Sequence, residues 1–148
     1  MIKRLEMKKS ILVLVLMITL FSCKTTVKVP EKKALYEVLL QQNDGGGNIN
    51  FYEILTEPKE IKMLLGDEKL IGKISANDVQ ESNFIILNMG KKPTGGYSIT
   101  VDKVTETDTN IVIKVKEHHP EPGAMLTQSI TYPYTVVKIN SKKPIVVQ

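Results

Sequence analysis

Cysteine is nearly missing from this chain. Cys23 is the only one in 148 residues, so no disulfide can close within the fold. Histidine is as scarce: His118 and His119 are the only two, adjacent in sequence. Neighbours on a strand point to opposite faces, so the pair cannot converge on one metal ion without a turn. With Glu117 and Glu121 beside them, they read as a solvated loop before Pro120 and Pro122, and no metal site is predicted. Ser98 lacks the G-x-S-x-G elbow that would expose a nucleophile. Carboxylates occur in loops and in one helix, with no spacing that singles out an acid–base pair. The chain therefore reads as a non-enzyme that needs no cofactor. Long apolar runs are lacking too. Ile11 to Phe21, broken only by Thr19, would span roughly 16 Å as a helix, against about 30 Å for a bilayer core.

What that run does resemble is an export leader. Lys3, Arg4, Lys8 and Lys9 precede it, and a charged start followed by a short apolar stretch describes a secretory signal. Leu20-Phe21-Ser22-Cys23 resembles a bacterial lipobox: an apolar residue at −3, a small one at −1, then the cysteine that receives lipid. Phe21 at −2 is bulkier than that pattern's usual residue. The sequence thus predicts a lipoprotein signal peptide over 1–22 and a lipidated, palmitate-bearing Cys23. A tether over 23–33 and a single domain over 34–148 follow. Lys24 stands where an aspartate marks inner-membrane retention in some bacteria, so the expected location is the cell envelope, lipid-anchored at the outer membrane. The tether has little to bury, contains Pro30, and reaches at most about 33 Å over ten residues.

Removing the leader also removes most of the net charge. The whole chain carries 20 Lys+Arg against 16 Asp+Glu. Residues 1–23 hold four basic residues and one acidic, which leaves sixteen against fifteen. Nucleic-acid binding needs a clustered basic face, and no such face is predicted.

The remaining pattern is mostly strand. Leu35 to Gln41 is a plausible first strand. Asn43 to Asn48, "NDGGGN", suits positive φ and reads as a mobile turn; no Lys-Ser/Thr follows it, which argues against a phosphate loop. Ile49 to Leu55 resumes the strand. Thr56-Glu57-Pro58 looks like a helix entrance, with Ile61, Leu64 and Leu65 on one face and Gly66 as the stop. Phe84 to Leu87 is the continuous apolar run of a buried central strand. Tyr97, Ile99 and Val101 alternate with polar residues, as do Ile111, Ile113 and Val115. Gln128 to Ile139 reads as a last long strand with Ile130, Tyr132 and Tyr134 on one side; Pro133 makes it an edge, a bulge or a sheet switch. The expectation is a mainly β fold, α+β at the margin: a small antiparallel β-sandwich with one short helix, its C-terminal half a meander of at least four strands.

Three loops carry rigid or permissive residues: "KKPTGGY" ending at Tyr97, "HHPEPGAM" from His118 to Met125, and "TYPYT" from Thr131 to Thr135. Proline fixes φ and glycine permits φ > 0, so such loops hold a shape at low entropic cost on binding. The flanking tyrosines offer amphipathic contact area. Candidate partner-binding residues are Pro93, Thr94, Gly95, Gly96, Tyr97, Pro122, Gly123, Tyr132, Pro133 and Tyr134.

The ordered pieces Pro93-Thr94-Gly95-Gly96-Tyr97, Pro122-Gly123, and Thr127-Gln128 running into Tyr132-Pro133-Tyr134 resemble the C-terminal domain of the PrcB family, lipoprotein subunits of bacterial protease complexes. The likeness covers roughly Phe84 to Ile139. It implies a non-catalytic module that helps assemble or stabilise a partner protease. A weaker similarity links Pro93 to Tyr97 with the N-P-T-T-G-Y loop of chagasin-type inhibitors of papain-like cysteine proteases. That likeness implies an immunoglobulin-like sandwich with three loops forming a wedge at one end. The sequence departs from that pattern at Lys92, at the missing arginine before Pro133, and in the short stretch between Val115 and Gln128.

Overall fold

A computed structural model describes residues 33–148. The leader over 1–22, Cys23 and the tether up to residue 32 lie outside the described residues. Seven strands and two short helices follow in order: β1 Tyr36–Gln42, β2 Asn50–Leu55, α1 Pro58–Leu64, α2 Asp78–Glu81, β3 Asn83–Met89, β4 Ser98–Glu106, β5 Ile111–His118, β6 Tyr134–Ile139 and β7 Ile145–Val147. They form a four-stranded sheet in the order β1-β6-β3-β2 and a three-stranded sheet in the order β4-β5-β7. The first sheet is antiparallel throughout. In the second, β4 pairs antiparallel with β5, and β7 runs parallel to β5.

The expected mainly β sandwich is what forms, and its centre is β3. Phe84 faces one way into a cluster with Leu39, Leu55, Ile61, Leu64, Leu70, Ile74 and Val79. Ile85, Leu87 and Met89 face the other way, against Ile99, Val101, Ile111 and Ile113 of the second sheet and Val137 and Ile139 of β6. Residue period two sends successive side chains to opposite faces. With both faces covered, every position wants an apolar residue, which is why Phe84–Leu87 shows no alternation. Buried Thr135 adds a polar tie between the sheets, its Oγ1 donating to the Ile99 carbonyl.

Several expectations need correction. The C-terminal half is no meander: β3 and β6 pair within the first sheet, while β4 and β5 form a hairpin in the second. The strand order is not the ABED/CFG arrangement of immunoglobulin domains. β6 starts at Tyr134, not Gln128. Before it the chain makes only an isolated bridge, Thr131 to Lys92, and Ile130 is 49% exposed. Pro133, with no N–H to give, sits at the strand entrance, where its carbonyl accepts the Met89 N–H at 3.0 Å. β7, only three residues, was not foreseen. The alternation in β4 also breaks after Val101, where a register shift before Lys103 moves the inward position to Val104.

The face of the first sheet away from the second sheet is closed by residues 57–82. Helix α1 opens with Pro58 at its first position, and the Glu57 N–H donates to Glu60 Oε2 at 3.3 Å. It buries Ile61 and Leu64, whereas Leu65, expected on the same face, is the C-cap and is exposed. A second helix, α2, was not predicted. It is anchored by Asp78, whose Oδ2 accepts from the Ser75 N–H at 2.7 Å and from Ser75 Oγ at 2.8 Å. Asp78 Oδ1 lies 3.6 Å from Lys138 Nζ on β6, which also meets Glu37 on β1 at 3.0 Å. Burial pushes the Asp78 carboxyl up, but the two Ser75 bonds and Lys138 outweigh it and hold the group below the usual carboxylate range. Lys73 Nζ donates to the Leu39 carbonyl at 2.7 Å and pins the same layer to β1. Among the described residues no helix is long and apolar enough to cross a membrane.

Candidate functional site

The loops singled out in the sequence meet at one end of the sandwich. The chain leaves β3 through Gly90, at φ +75°, where a Cβ would fall 2.8 Å from the Asn50 nitrogen. Lys92 then exchanges two backbone bonds with Thr131, at 2.8 and 3.0 Å. Thr131 Oγ1 donates to the Thr94 carbonyl at 2.9 Å. The Gly95 N–H donates to the Thr127 carbonyl at 3.0 Å. Gly96, at φ +86°, lies so close to Leu126 and Pro120 that a Cβ would sit 2.9 and 3.0 Å from their side chains. Only glycine takes that backbone conformation in that space at no cost. The Pro93–Gly96 loop is therefore held by its neighbours.

Tyr97, half-buried, packs on the core between the sheets. The His119 ring meets it edge-on, with centroids 5.5 Å apart at 74°, and Lys92 Nζ lies 5.7 Å from the ring centre. His119 Nε2 is 3.4 Å from Glu117 Oε2. Glu117 Oε1 accepts from Asn50 Nδ2 on β2 at 2.9 Å. Burial first, and then the Glu117 carboxylate, raise the Tyr52 phenol above its ordinary value, which keeps it neutral. A polar chain, Lys92–Tyr97–His119–Glu117–Asn50, thus links the Pro93 loop to the start of β2.

The other candidates divide. Pro122 and Gly123 are exposed on a turn closed by the Ala124 N–H on the Glu121 carbonyl at 3.1 Å. Met125 beside them is fully exposed. Tyr132 is half-buried, and its carbonyl accepts the Gly46 N–H at 2.9 Å. Pro133 and Tyr134 are buried. Tyr134 is part of the core under the helical layer, with Lys69 Nζ donating to its hydroxyl at 3.2 Å. The structure therefore places Pro93–Tyr97, Pro122, Gly123 and Tyr132 at the loop end, with Pro133 and Tyr134 buried beneath it. The triple glycine, expected as a mobile turn, crosses the end of β3 and β6 under constraint. The Gly47 N–H donates to Asn88 Oδ1 at 2.8 Å, and a Cβ on Gly46 would come within 2.8 Å of the Tyr132 carbonyl oxygen. Sequence reasoning missed Asn88, Glu117, His119, Thr127 and Thr131 as supports of this end. The one available signal was that rigid loops need polar anchors.

Among the described residues no group of three or more His, Cys, Asp or Glu side chains could hold a metal ion. The loop end presents backbone carbonyls and N–H groups already paired, one aromatic edge and an exposed methionine.

Residues 83–140 match the family model described as PrcB C-terminal. The resemblance read from the motifs holds over that stretch. The matched segment contains β3 to β6 and the loops from Gly90 to Thr131; it leaves out β1, β2, both helices and β7. An uncharacterized protein of Methanocaldococcus jannaschii is 34% identical over 56 residues, which are 38% of this chain and 33% of that protein. The chain spans about a third of the length of this curated relative. No solved structure matches the chain.

Proposed function

We propose that the chain is a membrane-anchored lipoprotein whose β domain is a non-catalytic protein-binding module that docks an exported protease and helps to assemble or stabilise its complex. The observation that carries this reading is the PrcB C-terminal match, which covers the three proline- and glycine-bearing loops between Lys91 and Thr135 that meet at one end. Support comes from the chemistry of that end. Proline, glycine and cross-loop backbone bonds set its shape before any partner arrives, so little conformational entropy remains to be lost on docking. The anchor rests on Leu20–Cys23 and places the module at the envelope, where exported proteases are met.

Affinity purification of the full chain from its host membranes tests both parts. The expected result is an N-terminal Cys23 carrying acyl chains by mass spectrometry, and a protease present in near-equal amount. An unmodified N-terminus removes the anchor; a chain that purifies alone removes the docking role. The reading as a chagasin-like inhibitor has no support in the strand order, and loss of papain-like hydrolysis at micromolar protein is the outcome that would restore it.

A further inference from the structure

The two sheets expose four edge strands, and three of them are blunted. β1 carries a register shift between Val38 and Leu40. β4 carries one between Val101 and Lys103, with Lys103 in the strand and Asp102 paired to Lys114 at 3.3 Å. β7 is three residues long and follows Pro144. Bulges, lysines, proline and short length are the means by which edges avoid pairing with other chains. β2 has none of these, and its one charged side chain is Glu53. Its register against β3 runs without a shift from Asn50 to Leu55. It contains no lysine, arginine or proline, and Phe51, Tyr52 and Ile54 are each 37% exposed. Among the described residues no strand pairs with its outer side.

We infer that the outer edge of β2 takes an extended segment of a protein partner, one in which β-branched and basic residues alternate, as a fifth strand of the first sheet. The basic character follows from the charges that face the edge. Glu53 lies on the helical-layer face of β2, opposite Ile86, and no cation pairs with it among the described residues. Glu117, held by Asn50, lies under the other face beside Tyr52. Whichever face the added strand's basic side chains take, they meet a carboxylate, and opposite charges across strands favour pairing. The apolar side chains would cover Phe51 or Ile54. The edge also joins the loop end directly. The Lys91 N–H donates to the Asn48 carbonyl at 3.1 Å, and Asn50 begins the polar chain that runs back to Tyr97. A partner seated on the loops could therefore extend its chain along β2. Affinity from main-chain bonds and specificity from alternate side chains is the known physics of strand addition.

The inference rests on the reading of the domain as a protein-binding module, and the test separates the two. The full chain in detergent is titrated against fluorescent peptides of about seven residues, the length of an ordinary strand. One alternates Val and Lys, one alternates Val and Glu, and one is the Val–Lys peptide N-methylated at every second amide. The Val–Lys peptide is expected to bind and to protect β2 amides from hydrogen exchange. The N-methylated form should lose at least tenfold, and the Val–Glu form should not bind. Glu53→Lys, an exposed change that removes no packing, should weaken the Val–Lys peptide about fivefold with the unfolding midpoint unchanged. Equal binding of all three peptides, or protection outside β2, overturns the edge. A concentration-dependent dimer in sedimentation, dispersed by Glu53→Lys, assigns the edge to a second copy of this chain and also overturns it. A protease partner that still binds the Glu53→Lys chain at full strength removes the edge while leaving the module reading intact.

Discussion

The two faces of β3 are packed by different means. Toward the second sheet, the partners are alternating positions of β4 and β5, Ile99, Val101, Ile111 and Ile113, spaced by the strand period. Toward the helical layer, the partners are Ile61, Leu64, Leu70, Ile74 and Val79, from a stretch that is mostly turn. One side is a repeating lattice, and the other is an irregular cap pinned by polar bonds such as Ser75–Asp78–Lys138. A regular face is secured by many equivalent contacts, whereas an irregular one depends on a few specific ties.

The largest expected effect tests whether the two sides bear comparable load. Phe84→Ala, on the cap side, should destabilise by about 3–5 kcal/mol, and Ile85→Ala, one residue on but facing the other sheet, by about 2–5 kcal/mol. Urea unfolding of both variants checks this, and a loss below about 1 kcal/mol at either would mean that face is loosely packed. Next comes the crossing of the loop end. Gly46→Ala places a methyl against a backbone oxygen and should cost roughly 1–3 kcal/mol, read as a lower thermal midpoint.

The polar tie gives the cap a pH signature. Asp78 has a lower pKa folded than unfolded, so its contribution is present above the unfolded value, near 3.9, and is lost as pH falls through the folded value. Asp78→Asn should flatten the acid limb of the stability profile, with amide protection in α2 lost most readily. An unchanged acid limb would show that the clasp does not hold the cap. The smallest effect is at the helix entrance: Glu60→Ala should cost about 0.5–1 kcal/mol through loss of the capping contact, visible as a slight shift in urea midpoint.

The same contrast accounts for what could be read in advance. β3 was legible because a short apolar run without alternation suits a strand covered on both faces, and β4 and β5 because period two is local. Which strands would pair was not legible: β6 lies between β1 and β3 through contacts nearly a chain length apart, such as Tyr36 opposite Ile139. Of the cap, α1 was legible from Pro58 and the Ile61/Leu64 stripe, and the rest was missed because Leu70, Ile74 and Val79 follow no regular period. At the candidate site, Pro93–Gly96 announced itself through composition. Tyr134 misled for a physical reason: a tyrosine fits a surface or a core equally well, and the residue that decides it, Lys69, is remote in sequence. Glu117 and Asn50, 67 residues apart, gave no local signal of their contact. Positive φ at Gly96 also shows that an aspartate there would strain the fold itself, so exposed positions are the better probes of docking.

The most direct test uses the partner recovered from host membranes and measures its affinity for three full-length chains: wild type, Met125→Asp at the loop end, and Gly72→Asn on the cap. Met125 is fully exposed, and a Cβ at Gly72 would meet nothing within 4 Å, so both changes spare the core; asparagine also tolerates the positive φ at Gly72. If the loop end faces the partner, Met125→Asp weakens binding about tenfold, on the order of 1.4 kcal/mol, and the cap variant binds as wild type. Equal affinity of all three chains would contradict docking through the loop end.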